Sequence, residues 1–158
     1  MKLKSIVLPI LAAFVSCLPV SAAEAGPGHD HGHSHAKKES GPNGGRLLTK
    51  IDPHAEFFVT AERKVRITFL DEQSKAVAPG TQVVVVTTGE RAAPTVLTFA
   101  KEGDALISEA ALPAGNDFPT VVQIKLTPEA KVVVERFNLN LSTCSECSKP
   151  EYACVCAH

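Results

Sequence analysis

The stretch Ala55-Glu56-Phe57-Phe58-Val59-Thr60-Ala61-Glu62-Arg63-Lys64-Val65-Arg66-Ile67-Thr68-Phe69-Leu70 decides the fold class of this 158-residue chain. Two runs rich in β-branched and aromatic residues, Ala55 to Thr60 and Lys64 to Leu70, flank Ala61-Glu62-Arg63. So short a connection between two such runs predicts a tight hairpin. In the second run Val65, Ile67 and Phe69 alternate with Lys64, Arg66 and Thr68, and that period of two predicts one apolar face and one wet face.

The same pattern extends to Leu141, with no helix of useful length. Gln82 to Thr87, with its four consecutive valines, reads as a strand covered on both sides, and Ala78-Pro79-Gly80 breaks the chain before it. Thr95 to Ala100 and Ala105 to Glu109 flank Lys101-Glu102-Gly103-Asp104, a second hairpin. Thr120 to Thr127 puts Val122, Ile124 and Leu126 on one face. After the turn Thr127-Pro128-Glu129-Ala130, a last strand turns Phe137, Leu139 and Leu141 inward. About seven antiparallel strands in about a hundred residues predict an all-β domain over 46–142, an immunoglobulin-like β-sandwich, with a small barrel as the alternative. The domain contains no tryptophan and no cysteine, so the resemblance to antibody domains is one of architecture alone.

Chemistry-bearing residues gather at the two ends. Lys2 and Lys4 precede an apolar run from Ile6 to Val15, with small residues at Ser21-Ala22-Ala23, so residues 1–23 read as a secretory signal peptide. The run is shorter than the roughly twenty residues that span a bilayer, and nothing later supplies a transmembrane segment. The expected location is the periplasm or the exterior, with a lipid anchor on Cys17 as the lesser alternative. Removing 1–23 takes two of the sixteen basic residues and no acidic one, leaving fourteen against seventeen, a formal charge of −3. That balance argues against a nucleic-acid partner.

Residues 24–45 read as a disordered arm around His29-Asp30-His31-Gly32-His33-Ser34-His35. In an extended chain, residues two apart point the same way about 7 Å apart, so neighbouring imidazoles can share an ion. Neutral imidazole suits Zn²⁺, Cu²⁺ and Ni²⁺, and Asp30 offers an oxygen ligand. At the other end, 143–158 carries Cys144-Ser-Glu-Cys147 and Cys154-Val-Cys156-Ala-His158. The first pair has the spacing of a zinc knuckle. Four thiolates, with His158 beside them, suit Zn²⁺ or Cu⁺. An oxidising compartment offers the same cysteines another fate, two disulfides paired across the clips.

The histidine segment followed by Gly41-Pro42-Asn43-Gly44-Gly45-Arg46-Leu47-Leu48 resembles the N-terminal module of periplasmic adaptor proteins of heavy-metal efflux pumps, over about residues 29–70. There a histidine-rich stretch leads into Gly-Pro-His-Gly-Gly-Arg and a short β module, and Asn43 stands where that histidine would be. The resemblance implies His29, His31, His33 and His35 as ligands. It also implies a free-standing metal-handling module, since this chain has no room for the adaptors' helical hairpin, lipoyl and barrel domains. The cysteine tail is no part of that pattern.

No Ser-His-Asp arrangement or phosphate loop is present, and Cys144-x-x-Cys147 follows a strand where a thioredoxin-like motif would open a helix. The expected function is therefore non-enzymatic: metal buffering or delivery, with a heavy-metal efflux component as a candidate partner. The rival readings are a disulfide-knotted envelope domain and, third, a thiol-disulfide oxidoreductase. His54, near Asp52 and Glu56, reads as a surface histidine, and Tyr152 as the residue that packs the tail onto the domain. With the ligands outside the domain, chelators are expected to leave its unfolding unchanged. Ion uptake by the arm should weaken below about pH 6, where imidazoles protonate, and calorimetric titration at two pH values would show it.

Overall fold

The structure, a computed structural model, describes residues 39–156. The signal peptide, Cys17, the candidate ligands His29, Asp30, His31, His33 and His35, and His158 lie outside the described residues. Among the described residues the chain is all β apart from one turn of 3-10 helix, Glu151–Ala153, and no helix is long and apolar enough to cross a membrane.

Ten strands form two antiparallel sheets, where about seven strands were expected. The larger sheet contains β1 (Arg46–Leu48), β2 (His54–Val59), β3 (Val65–Leu70), β8 (Ala105–Ser108) and β7 (Phe99–Glu102) in the order β1-β2-β3-β8-β7, with β4 (Ala76–Val77) also paired to β3. The smaller has the order β10 (Val133–Asn140), β9 (Asp117–Lys125), β5 (Val83–Glu90) and β6 (Ala93–Leu97). Three features account for the difference in count. β1 and β4 are too short to show a period, and the run Thr95 to Ala100 breaks at Thr98, giving one half to each sheet. Pro94 sits in β6, an edge strand, where a residue without an N–H is tolerated.

Both predicted hairpins form. Arg63, at φ 61°, closes the β2–β3 turn by donating its N–H to the Thr60 carbonyl at 3.0 Å, and Gly103, at φ 60°, lies between β7 and β8. Leu48, Phe57, Ile67 and Phe69 of the larger sheet share one buried cluster with Val84, Val86, Val122, Ile124 and Leu139 of the smaller. The valine run departs from expectation. Val84 and Val86 are buried, but Val83 is 44% exposed and Val85 is only half-buried, so among the described residues β5 is fully covered on its inner face alone.

The outer face of the larger sheet departs in the opposite direction. Thr68, expected in water, is buried, and so is Glu56, which stands opposite it in the β2–β3 ladder. The loop Gly41–Gly45 folds over Glu56. The Asn43 N–H donates to Glu56 Oε1 at 2.9 Å, Asn43 Nδ2 to Oε2 at 2.6 Å, and the Gly45 N–H to Oε1 at 2.7 Å. The glycines make this approach possible. A Cβ on Gly41 would lie 2.4 Å from the Glu56 side chain, and one on Gly45 would lie 2.3 Å from the Phe57 carbonyl. The motif carrying the adaptor resemblance thus has a structural task here, sealing a buried carboxylate. Glu56→Ala would leave the buried Gly45 N–H without its acceptor and release Asn43, and should cost roughly 3 kcal/mol of stability in urea unfolding, with Glu56→Gln intermediate.

Candidate metal centre

After β10 the chain turns back along the seam between the two sheets. The 3-10 turn contacts both β1 and β10, and Tyr152 and Ala153 enter the core at 3% and 4% exposure. Tyr152 packs edge-on against Phe57, with ring centroids 5.8 Å apart, and Phe57 packs edge-on against Phe137 of β10 at 5.2 Å. The Val59 N–H donates to the Tyr152 hydroxyl at 3.1 Å. Burial raises the Tyr152 pKa above its usual range, so the phenol stays protonated. The Arg46 guanidinium lies 4.7 Å over the Phe137 ring and also donates to the Tyr152 carbonyl. Tyr152 therefore packs the tail onto the body, as its sequence context predicts.

The docked turn fixes the cysteines on either side of it. The Cys144 N–H donates to the Lys149 carbonyl at 2.8 Å, the Ser148 N–H to the Cys144 carbonyl at 2.9 Å, and Thr143 bridges Pro150. Ser148 adopts φ 58°, the left-handed turn that reverses the chain after the second cysteine. This tight turn brings Cys144 and Cys147 together. The docked 3-10 turn then delivers Cys154 and Cys156 to the same place.

One ligand atom from each of Cys144, Cys147, Cys154 and Cys156 lies within 4.8 Å of all the others. Cys154 Sγ is 3.4 Å from Cys144 Sγ and 3.7 Å from Cys147 Sγ. A tetrahedral ion with Zn–S bonds of about 2.3 Å needs sulfurs roughly 3.8 Å apart, whereas a disulfide needs about 2.04 Å. The spacing matches ligands arranged around a common centre. Cys144 is buried and the other three are half-buried, so an ion would sit with one side walled by the fold and one side near solvent.

Backbone dipoles prepare the first clip for negative charge. The N–H groups of Cys147 and Glu146 lower the pKa of Cys144, and the Lys149 N–H is the main influence bringing Cys147 down to about 7. The second clip behaves differently. The Cys156 N–H, 3.4 Å from Cys154 Sγ, favours the Cys154 thiolate, but burial and the hydrogen bond with Cys144 outweigh it and the pKa rises. Its hydrogen bond with Cys154, and then burial, push the Cys156 pKa up strongly. The first clip thus favours the thiolate form more than the second does. The four cysteines can therefore hold a metal ion.

Among the described residues this is the one group of three or more His, Cys, Asp or Glu side chains with ligand spacing. His54 does not join it, and its Nδ1 lies 2.7 Å from the Ile51 carbonyl. It does line a cleft of about 560 Å³ that also has Cys154 in its wall. Comparison of the chain with protein-family models, with curated proteins and with solved structures finds no match. In reduced, metal-stripped protein at pH 7, Cys147 should be alkylated first and Cys156 last, as read by peptide mass spectrometry at short times, since attack requires the thiolate.

Proposed function

We propose that this protein is an exported binder of transition-metal ions, with the four-cysteine knuckle as its tight site and the histidine arm as its capture segment, serving metal buffering or delivery. The observation that carries the reading is the convergence of four sulfurs, all within 4.8 Å of one another, with Cys154 Sγ 3.4 Å from Cys144 Sγ and 3.7 Å from Cys147 Sγ. Zn²⁺ is the first candidate ion. It imposes no geometry of its own beyond four-fold coordination, and four thiolates satisfy it. Cu⁺ is second, on softness alone. Export to the periplasm or the exterior rests on the leader-like residues 1–23, and the link to heavy-metal efflux rests on the Gly41 to Leu48 resemblance.

An immunoglobulin-like sandwich is the architecture that best fits two antiparallel sheets sharing one core. Its role is to hold the knuckle. Because Cys144 is buried and Tyr152 and Ala153 belong to the core, an ion bound here is coupled to folding. This reading therefore expects chelation to destabilise the domain, where the sequence alone suggests little change.

The rival reading, a disulfide-knotted envelope domain, draws on the same contact, since Cys154 lies next to both Cys144 and Cys147. One sample separates the two. The metal-binding reading expects native mass analysis of the exported full chain to find one ion retained by the tail, with four alkylatable thiols there after chelation. It also expects chelation to lower the thermal midpoint by several degrees. Two disulfides and no tail-bound ion would overturn it.

A further inference from the structure

The cleft of about 560 Å³ beside the cysteines is lined by charges of both signs that do not pair with one another. Glu39, Asp71 and Glu72 supply carboxylates and Arg46 a guanidinium, yet the ion pairs among the described residues are Lys50–Glu135 and Arg66–Asp104. Arg46 is held over the Phe137 ring and against the Tyr152 carbonyl, with no carboxylate beside it among the described residues. Glu39 and Glu72 are exposed, while Asp71 is fixed by its own turn, where Oδ1 accepts the Gln73 and Lys75 N–H groups. Opposite charges kept apart in a cavity of small-molecule size are complementary to a ligand that carries both an ammonium and a carboxylate.

A reactive sulfur lines the same cleft. Among the four clustered cysteines, Cys154 is the one in its wall, and it is half-buried. Cys154 Sγ lies 3.4 Å from Cys144 Sγ and 3.7 Å from Cys147 Sγ. A disulfide needs about 2.04 Å, so a bond from Cys154 to Cys144 requires only a short approach.

We propose that the cleft binds a small zwitterionic disulfide of the cystine class, and that exchange at Cys154 releases the ion from the cysteine centre. The proposal rests on the metal-binding reading above and adds what empties that site. The Cys154 thiolate attacks one sulfur of the bound disulfide, whose S–S bond breaks, and one half leaves as a thiolate that takes a proton from water. Cys144 then attacks the Cys154 sulfur of this mixed disulfide and expels the second half, which is protonated in the same way. The small disulfide gains two electrons, Cys144 and Cys154 together lose two, and the ion keeps its oxidation state. It departs because two of its four sulfurs no longer carry charge, and Cys147 and Cys156 regain protons from water.

The reduced full chain loaded with cobalt(II) reports ion loss through decay of the thiolate-to-cobalt charge-transfer band. Cystine should discharge the ion about ten-fold faster than bis(2-hydroxyethyl) disulfide, which carries no charge, at equal concentration. Glu39→Gln combined with Glu72→Gln, both at exposed positions, should remove most of that preference and leave the rate with the uncharged disulfide unchanged. In the full chain with Cys144→Ser and Cys147→Ser, exchange should stop at one cysteinyl unit, placed on Cys154 by peptide fragmentation. Equal rates for the two disulfides in the unsubstituted chain, or a cysteinyl unit on Cys156 in place of Cys154, would overturn the cleft as the binding site. A band that persists in cystine would overturn the release while leaving the metal-binding reading standing. Absence of the band from the unsubstituted chain on cobalt loading would sink that reading and the release together.

Discussion

Phe57 receives two edge-on rings, Phe137 from the last strand of the smaller sheet and Tyr152 from the tail, and the placement of the cysteines depends on that junction. Aromatic edges prefer this geometry, and such contacts contribute about a kcal/mol each beyond the area they bury. The phenol adds a directional constraint, because its hydroxyl accepts the otherwise outward-facing Val59 N–H. A ring held from both ends fixes the path of the six residues between Cys147 and Cys154. The spacing of the sulfurs is thus set from inside the core rather than by the cysteines alone.

From that anchor the chemistry follows by short steps. Left-handed backbone at Ser148 turns the chain, backbone N–H groups lower the Cys144 and Cys147 pKa values, and the second clip favours its protons. A centre assembled this way is partly organised before any cation enters. Preorganised donors around the sulfurs do for a thiolate site what second-sphere partners do for histidine ligands: they hold orientation and tune basicity.

Much of this was legible in the chain, and the remainder was hidden for identifiable reasons. Alternation at Val65, Ile67 and Phe69 gave the correct inner face of β3 because one period of two is local information. The first cysteine clip was readable for the same reason, since three residues set its geometry. Tyr152 was assigned to packing, but its partner Val59 lies 93 residues away, so the depth of the docking, and with it the coupling of site to fold, was out of reach. Glu56 was passed over as a neighbour of His54. A lone acid in an otherwise apolar strand, preceded by Gly41, Gly44 and Gly45, was the signal for a sealed carboxylate. The valine run misled because four β-branched residues look alike whether one side or both are covered.

The seam has a bearing on self-association. β1 and β10 are terminal strands of their sheets, and the returning tail lies against both of them. Terminal strands with open amide ladders invite neighbouring molecules to add on, which is how many β proteins begin to aggregate. At the opposite margin Pro94 removes one donor from β6, a modest safeguard. Between β1 and β10 the safeguard is the docked 3-10 turn of the tail, so an event that prises the tail away would uncover two adhesive borders together.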